Sequence, residues 1–174
     1  MEVLKRFGMD KSNSVHNPIV PGCKLMKDED GINMDKTYYK QVVGSLNYLT
    51  ATRLDIMFVV NLISRYVENP TKLHLQAPKR ILRYLKGTIG LEIFYRKGED
   101  DDFVAYTHSD YAGDLDEKKS NSGYVFLLSS GAVSWSSKKL LGYGACYLFI
   151  VWSTVIHSKA ISSKVISGKS IYGK

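Results

Sequence analysis

The hydrophobic period of this chain changes near Gly90, from a helical repeat to the alternation that is typical of strands. Before Gly90, Tyr38, Val42, Leu46 and Leu49 recur at intervals of four, four and three, which places them on one face of a helix. After Gly90, short runs of β-branched and aromatic residues lie between turn residues, a pattern that predicts strands. Helices followed by strands predict an α+β fold.

Two further helices are predicted before Gly90. The first begins near Asp55 and ends at Asn69-Pro70, because the residue before a proline disfavours the helical conformation. Its buried stripe consists of Ile56, Val59, Val60 and Ile63. The second covers residues 71–85 and ends at Lys86-Gly87. Pro78 inside it removes a backbone donor at a cost of about 3 kcal/mol, so we expect a kink or a break there.

Four strands are predicted after Gly90, at residues 91–95, 103–107, 123–128 and 132–135. Ser129-Ser130-Gly131 joins the last two and predicts a hairpin with a short loop. The sequence therefore predicts an antiparallel meander after the helices.

Four segments follow from these patterns: a short helix with an extended linker (1–36), a helical segment (37–90), the strands (91–139) and a tail (140–174). Residues 140–156 carry no charge, but their glycines and hydroxyl residues favour a buried or aggregation-prone strand over a membrane span. Lysines then recur every five residues up to Lys174, a period that fits neither helix nor strand. We therefore expect a poorly ordered tail and no membrane span.

Composition excludes several classes of protein. A chain with 44% apolar and 24% charged residues is neither wholly disordered nor embedded in a membrane. Two cysteines, Cys23 and Cys146, cannot form a disulfide-rich framework or a four-cysteine zinc site. The N-terminal residues lack the apolar run of a signal peptide.

Charge is distributed unevenly along the chain. Residues 98–117 contain eight acidic residues and no basic one, and residues 118–174 contain eight lysines and no Asp or Glu. Within the third predicted helix, a basic face is expected from Lys72, Lys79, Arg83 and Lys86, at intervals of seven, four and three. Such a face can contact the phosphates of a nucleic acid, although a solvated helix face gives the same pattern.

Three strings carry a resemblance to a known family: YYKQVVGSLNYLTATRLDIMFVVNLISRY, LHLQAPKRILRYLKGT and YTHSDYAGDLDEKKSNSGYVFLLSSGAVSWSSKK. They resemble copia-type retrotransposon polyproteins over residues 1–139. The resemblance implies the end of the reverse transcriptase, with its thumb and connection, followed by a truncated ribonuclease H fold. The family's polymerase strands lie before this region, so we expect no polymerase activity.

The resemblance also allows this chain to be compared with the family's metal-binding carboxylates, on which ribonuclease H activity depends. That activity implies two Mg²⁺ ions held by three or four carboxylates. His108 stands where the family has its first Asp, and Asp110 lies about one pleat further along the strand. The family's later carboxylates would fall beyond Lys139, and no Asp or Glu follows Glu117. Asp114 and Asp116 are interpreted, with Glu117, as a solvated loop. We therefore expect no enzyme, no metal and no cofactor.

A short string in the third predicted helix suggests another relationship. Arg80-Ile81-Leu82-Arg83 matches the RxLR pattern of effectors that oomycete pathogens deliver into plant cells. The whole chain resembles a copia-like member of that class. This resemblance implies secretion, entry into the cytoplasm or nucleus of the host cell, and suppression of cell death by binding a host protein. Alternatively, the string is part of an ordinary helix, with Ile81 and Leu82 near the core and the two arginines in solvent.

Three hypotheses therefore stay open. The chain is a non-catalytic effector, an inert transposon remnant, or a residual nucleic-acid binder whose weak, non-specific binding falls with salt. None of the three requires a small-molecule substrate.

Overall fold

A computed structural model describes residues 2–23, 25–95, 103–109, 116, 119–139 and 165–166 of the chain. The chain divides into two compact units, Met1–Leu91 and Glu92–Lys174. The helices of the first unit are α1 Glu2–Arg6, α2 Lys36–Leu49, α3 Leu54–Ser64 and α4 Gln76–Gly87. The strands of the second unit are β1 Phe103–Ser109, β2 Asn121–Leu128, β3 Gly131–Lys139 and β4 Val165–Ile166. The predicted α+β class is confirmed.

The core of the first unit is formed by one face of each helix. The stripe predicted on α3 is confirmed, because its four residues are at most 2% exposed. On α2 the buried face is turned by about one position from the prediction, so that Tyr39 and Val43 join Val42 and Leu46. Leu4 and Phe7 complete this core. They lie in the N-terminal segment, the part of the chain before α2 (residues 2–35).

Two helix boundaries differ from the sequence prediction. Helix α3 ends at Ser64 and not at Asn69. The backbone forms a tighter turn there, in which Tyr66 N donates to Ile63 O, three residues earlier, at 3.2 Å. Helix α4 begins at Gln76 and not at residue 71. Pro78 therefore lies in its first turn, where a backbone N–H has no partner within the helix. The predicted kink is wrong, and the alternative, a break, is found two residues earlier, where turn residues give way to α4.

The sheet of the second unit has the strand order β3-β2-β1-β4. Strands β1, β2 and β3 pair antiparallel, which confirms the predicted meander. A two-residue loop joins β2 to β3, and its first residue, Ser129, has a φ of 54°. Strand β4 pairs with β1 in parallel, with Ala105 opposite Val165.

The strand predicted at residues 91–95 is wrong. No strand is assigned there, and Leu91 and Phe94 are 63% and 73% exposed. Within the described residues, no neighbouring strand forms backbone hydrogen bonds with residues 91–95. An alternating pattern of side chains predicts a strand only where such a partner strand exists. Tyr95 at its end instead donates its hydroxyl to Ala132 O at 2.7 Å.

The tail predicted at residues 140–174 lies outside the described residues, apart from β4. Its poor order therefore stays a prediction. In the part of the chain that the structure describes, none of the helices has the length and apolar character to cross a membrane.

Candidate functional site

The RxLR-like string lies in the middle of α4. Ile81 and Leu82 are 0% and 1% exposed and belong to the core of the helical unit. Arg80 and Arg83 are half-buried on the other side of the helix. The string is thus part of an amphipathic helix, with its apolar pair packed inward.

Basic side chains of α4 bind the N-terminal segment of the chain. Arg83 Nε donates to Asn13 O, and Lys86 Nζ donates to Ser12 O, each at 2.7 Å. Arg80 Nη2 donates to the side-chain carbonyl of Asn17. Because residue numbers rise along the segment as they fall along the helix, the two run antiparallel.

The segment also approaches the end of α4 closely. A Cβ built on Gly87 would lie 3.0 Å from Ser14 Cβ. Any side chain at this position would push against the segment. A glycine at residue 87, the last residue of α4, therefore allows the segment to pass.

The four residues predicted to form a basic face do not all lie on α4. Lys72 is exposed in the turn before the helix. Lys79, Arg83 and Lys86 follow at helical spacing, and Lys79 is exposed. Arg83 and Lys86 each use one donor on a backbone oxygen of the chain itself, which leaves fewer donors for phosphates.

An apolar groove of about 430 Å³ lies between the N-terminal segment and the start of α4. Its apolar lining includes Ile19, Val20 and Leu25 from the segment, and Leu73 and Ala77 from the other side. Its cationic lining consists of Lys79, Arg80 and Arg83. None of the described residues that line it carries a carboxylate.

These three cations have no ion pair within the described residues. Ion pairs elsewhere in the described residues include those of Glu68 with Lys36 and Lys40, and of Asp55 with Arg53. In addition, Nε of Arg80 is buried and has no hydrogen-bond partner among the residues that the structure describes. The groove therefore combines an apolar wall with positive charge that nothing in its lining neutralises.

A buried histidine fixes the turn that leads into α4. His74 is 1% exposed and stacks on Tyr66 with ring centroids 4.2 Å apart. Its Nδ1 accepts from Thr71 N at 3.0 Å, so its proton is on Nε2, which donates to Met26 O at 3.0 Å. The Thr71 hydroxyl donates to Asp28 Oδ2 at 2.8 Å. The ring thereby ties the loop around residue 26 to the turn before α4.

Sequence reasoning missed this histidine and the groove beside it. The only local signal was the spacing of Thr71 and His74, three residues apart. Their other hydrogen-bond partners, Asp28 and Met26, lie more than forty positions away, where hydrophobic periodicity gives no information.

A second network joins the start of α3 to the end of α4. Arg53 donates to both carboxylate oxygens of Asp55, at 3.0 and 2.7 Å, and to Thr88 O at 3.1 Å. Tyr84 donates its hydroxyl to Asp55 Oδ2 at 2.7 Å. Burial alone would raise the pKa of Asp55, but the hydrogen bonds from Arg53 and Tyr84 outweigh it and hold that pKa below its ordinary value.

His108, which the resemblance aligns with the first carboxylate of a ribonuclease H, lies on β1. His108 is exposed and pairs with Gly123 of β2. No cluster of three or more His, Cys, Asp or Glu side chains that could hold a metal exists among the described residues. Asp116 is exposed, whereas Asp110, Asp114 and Glu117 lie outside the described residues.

Comparison with known proteins decides the family. The chain is 43% identical over 142 residues to the Retrovirus-related Pol polyprotein from transposon RE1 of Arabidopsis thaliana, a match that covers 82% of this chain and 10% of that protein. It is 44% identical over 143 residues to the Pol polyprotein from transposon TNT 1-94 of Nicotiana tabacum, covering 78% of this chain and 11% of that protein. This chain belongs to the copia-type retrotransposon polyproteins.

One further relative of this copia-type chain bears a different name. Secreted RxLR effector protein 161 of Plasmopara viticola is 38% identical over 107 residues, covering 61% of this chain and 75% of the effector. The chain spans about a tenth of the length of the two Pol polyproteins. No family model matches the chain. No solved structure matches it either.

Proposed function

We propose that this transposon-derived chain acts by binding and not by catalysis, as an effector of the RxLR kind. In this role it is delivered into a plant cell and suppresses cell death there by binding a host protein. The relative from Plasmopara viticola supports the proposal because the match covers 75% of that effector. An inert transposon remnant is the competing account, since the Pol polyproteins are matched at 43% and 44% identity.

His108 is the observation that carries the non-catalytic part of the proposal. Mg²⁺ requires oxygen ligands, whereas an imidazole suits Zn²⁺ or Cu²⁺. A histidine at the first carboxylate position therefore removes one oxygen ligand that Mg²⁺ would need. His108 is exposed near the end of β1, and the resemblance to ribonuclease H implies a carboxylate at this position.

The first prediction concerns hydrolysis. We expect the full chain, incubated with an RNA–DNA hybrid and Mg²⁺, to cleave no more RNA than buffer does. His108→Asp is expected to remain inactive, because one carboxylate does not hold two metal ions. Cleavage by the unaltered chain that stops when Mg²⁺ is chelated would contradict the proposal. Binding of the hybrid that falls steeply with salt would instead favour the residual nucleic-acid binder.

The second prediction concerns cell death. The full chain, expressed in plant leaf cells together with an inducer of cell death, is expected to reduce the death that the inducer causes. A transcript with an early stop codon separates the effect of the protein from that of its RNA. Cell death is measured by electrolyte leakage, with the amount of soluble protein checked in the same leaves.

Two variants make this experiment specific. Ile81→Asp places a charge in the core of the helical unit and should abolish suppression by unfolding it. Lys72→Gln alters an exposed residue and should leave suppression intact. Undiminished death in the presence of soluble, unaltered protein would favour the inert remnant.

A further inference from the structure

The groove between the N-terminal segment and α4 has two chemically different ends. The segment runs antiparallel to α4, as its bonds to Arg80 and Arg83 establish. Ala77 and Leu73 therefore line one end and Arg83 the other. Ala77 and Arg83 are about 9 Å apart along the helix axis at 1.5 Å per residue.

The cationic end has donors to spare. Arg83 uses Nε on Asn13 O, and Arg80 uses Nη2 on Asn17, whereas a guanidinium offers five N–H donors. Nε of Arg80 also has no partner among the described residues, but it is buried, so the donors that remain for a ligand are the Nη hydrogens of the two arginines. Lys79 adds a third charge, and the described lining offers no carboxylate to any of the three. An anion placed here would gain hydrogen bonds and relieve the repulsion among the cations.

The size of the groove points to a small ligand. Its volume of about 430 Å³ lies within the range of roughly 300–1,000 Å³ that is usual for small-molecule sites. Such sites pair mostly apolar walls with a few polar groups that fix orientation. The apolar wall here is formed by Ile19, Val20, Leu25, Leu73 and Ala77.

We propose that this groove binds a single-chain amphiphile with an anionic head, of the fatty-acid class. The carboxylate binds at Arg80 and Arg83, whose planar guanidinium groups match its geometry. The hydrocarbon chain lies toward Leu73 and Leu25. The ligand bridges the N-terminal segment and α4, so its binding stabilises their contact. This inference is independent of the proposed effector function.

Decanoate is the probe that tests the proposal, and decanol, which has the same chain without the charge, is its matched control. Binding to the full chain is measured by isothermal titration calorimetry below the concentration at which decanoate forms micelles. Decanoate is expected to bind at least about tenfold more tightly than decanol, as the loss of one charged hydrogen bond implies. Equal affinity for the two compounds would overturn the proposal, because it would indicate adsorption to apolar surface.

Variants locate the site. Arg83→Gln is expected to weaken decanoate binding by about tenfold and decanol binding by clearly less, because Arg83 also holds the segment through Asn13 O. Leu73→Asp, at a residue that is 47% exposed, should weaken binding of both compounds without unfolding the helix. Lys72→Gln removes a nearby charge outside the lining and should change neither affinity.

Cys23 gives an independent readout, because it is exposed and lines the groove. Bound decanoate is expected to slow alkylation of Cys23 by iodoacetamide, followed by mass spectrometry of the peptide that contains it. An unchanged rate at saturating decanoate, or binding that survives both Arg83→Gln and Leu73→Asp, would place the ligand elsewhere and overturn the proposal.

Discussion

Asp55 connects two helices through a single carboxylate. It accepts from Arg53 and Tyr84, and these bonds hold its pKa below the ordinary value of 3.8 despite burial. A group whose pKa is lower in the folded state contributes stability above the unfolded pKa. That contribution is lost as the pH falls through the folded pKa.

Asp55→Asn is therefore expected to lower the free energy of unfolding by about 1–2 kcal/mol at neutral pH, since it weakens hydrogen bonds made to a charged group. The difference between variant and wild type should shrink as the pH falls below 3.8, where the unfolded carboxyl is protonated. Urea denaturation at several pH values measures both effects. The exposed Glu29→Gln serves as control, and a difference that did not change with pH would show that the charge of Asp55 is not what stabilises the contact.

His74 is a second residue whose role depends on two bonds. His74→Phe keeps a ring to stack on Tyr66 but leaves Thr71 N and Met26 O without their partner. We expect a loss of about 1–3 kcal/mol in the free energy of unfolding, because Thr71 N would be buried and unpaired. His16→Phe, at an exposed position, should change it by less than about 0.5 kcal/mol, and equal losses in the two variants would contradict the assignment.

At the scale of elements, hydrophobic periodicity predicts which residues of a helix are buried. It does not predict where the helix begins or which distant residues it contacts. The α3 stripe was predicted residue by residue, because each member lies on the inner face of one regular helix. The start of α4 was not predicted correctly. A proline is tolerated in the first turn of a helix, and the pattern of apolar residues continues before Gln76. The contacts of Arg83 and Lys86 lie 70 and 74 positions away, so no local pattern could predict them.

The β2–β3 hairpin contains a residue in a conformation that favours glycine. Ser129 has a φ of 54°, and it is the first residue of a two-residue loop. A non-glycine residue in this conformation costs about 1–2 kcal/mol of folding free energy. Glycine avoids this cost, but it loses more conformational entropy on folding, which cancels part of the gain. Ser129→Gly is therefore expected to raise the thermal midpoint of the sheet unit, and Ser129→Val to lower it, as measured by circular dichroism. A shift in the same direction for both variants would contradict the backbone argument.

At the scale of the whole molecule, the helical core is confined to one part of the chain. Every member of its buried cluster lies between Leu4 and Leu85, inside the unit Met1–Leu91. The hydrogen bonds that tie the N-terminal segment to α4 also lie within this unit. Since the described core and these bonds lie within this unit, we expect the unit to fold by itself.

A fragment of residues 1–91 is therefore expected to be helical and to unfold in one cooperative transition. Leu46→Ala in the fragment should lower its free energy of unfolding by about 2–5 kcal/mol, because Leu46 is 0% exposed and its loss leaves a cavity. Tyr48→Ala, at a residue that is 83% exposed, is the matched control on the same helix. A fragment that melts gradually, or that responds equally to the two substitutions, would mean that the core needs the sheet unit to form. In that case any effector activity of the helical part would require the whole chain.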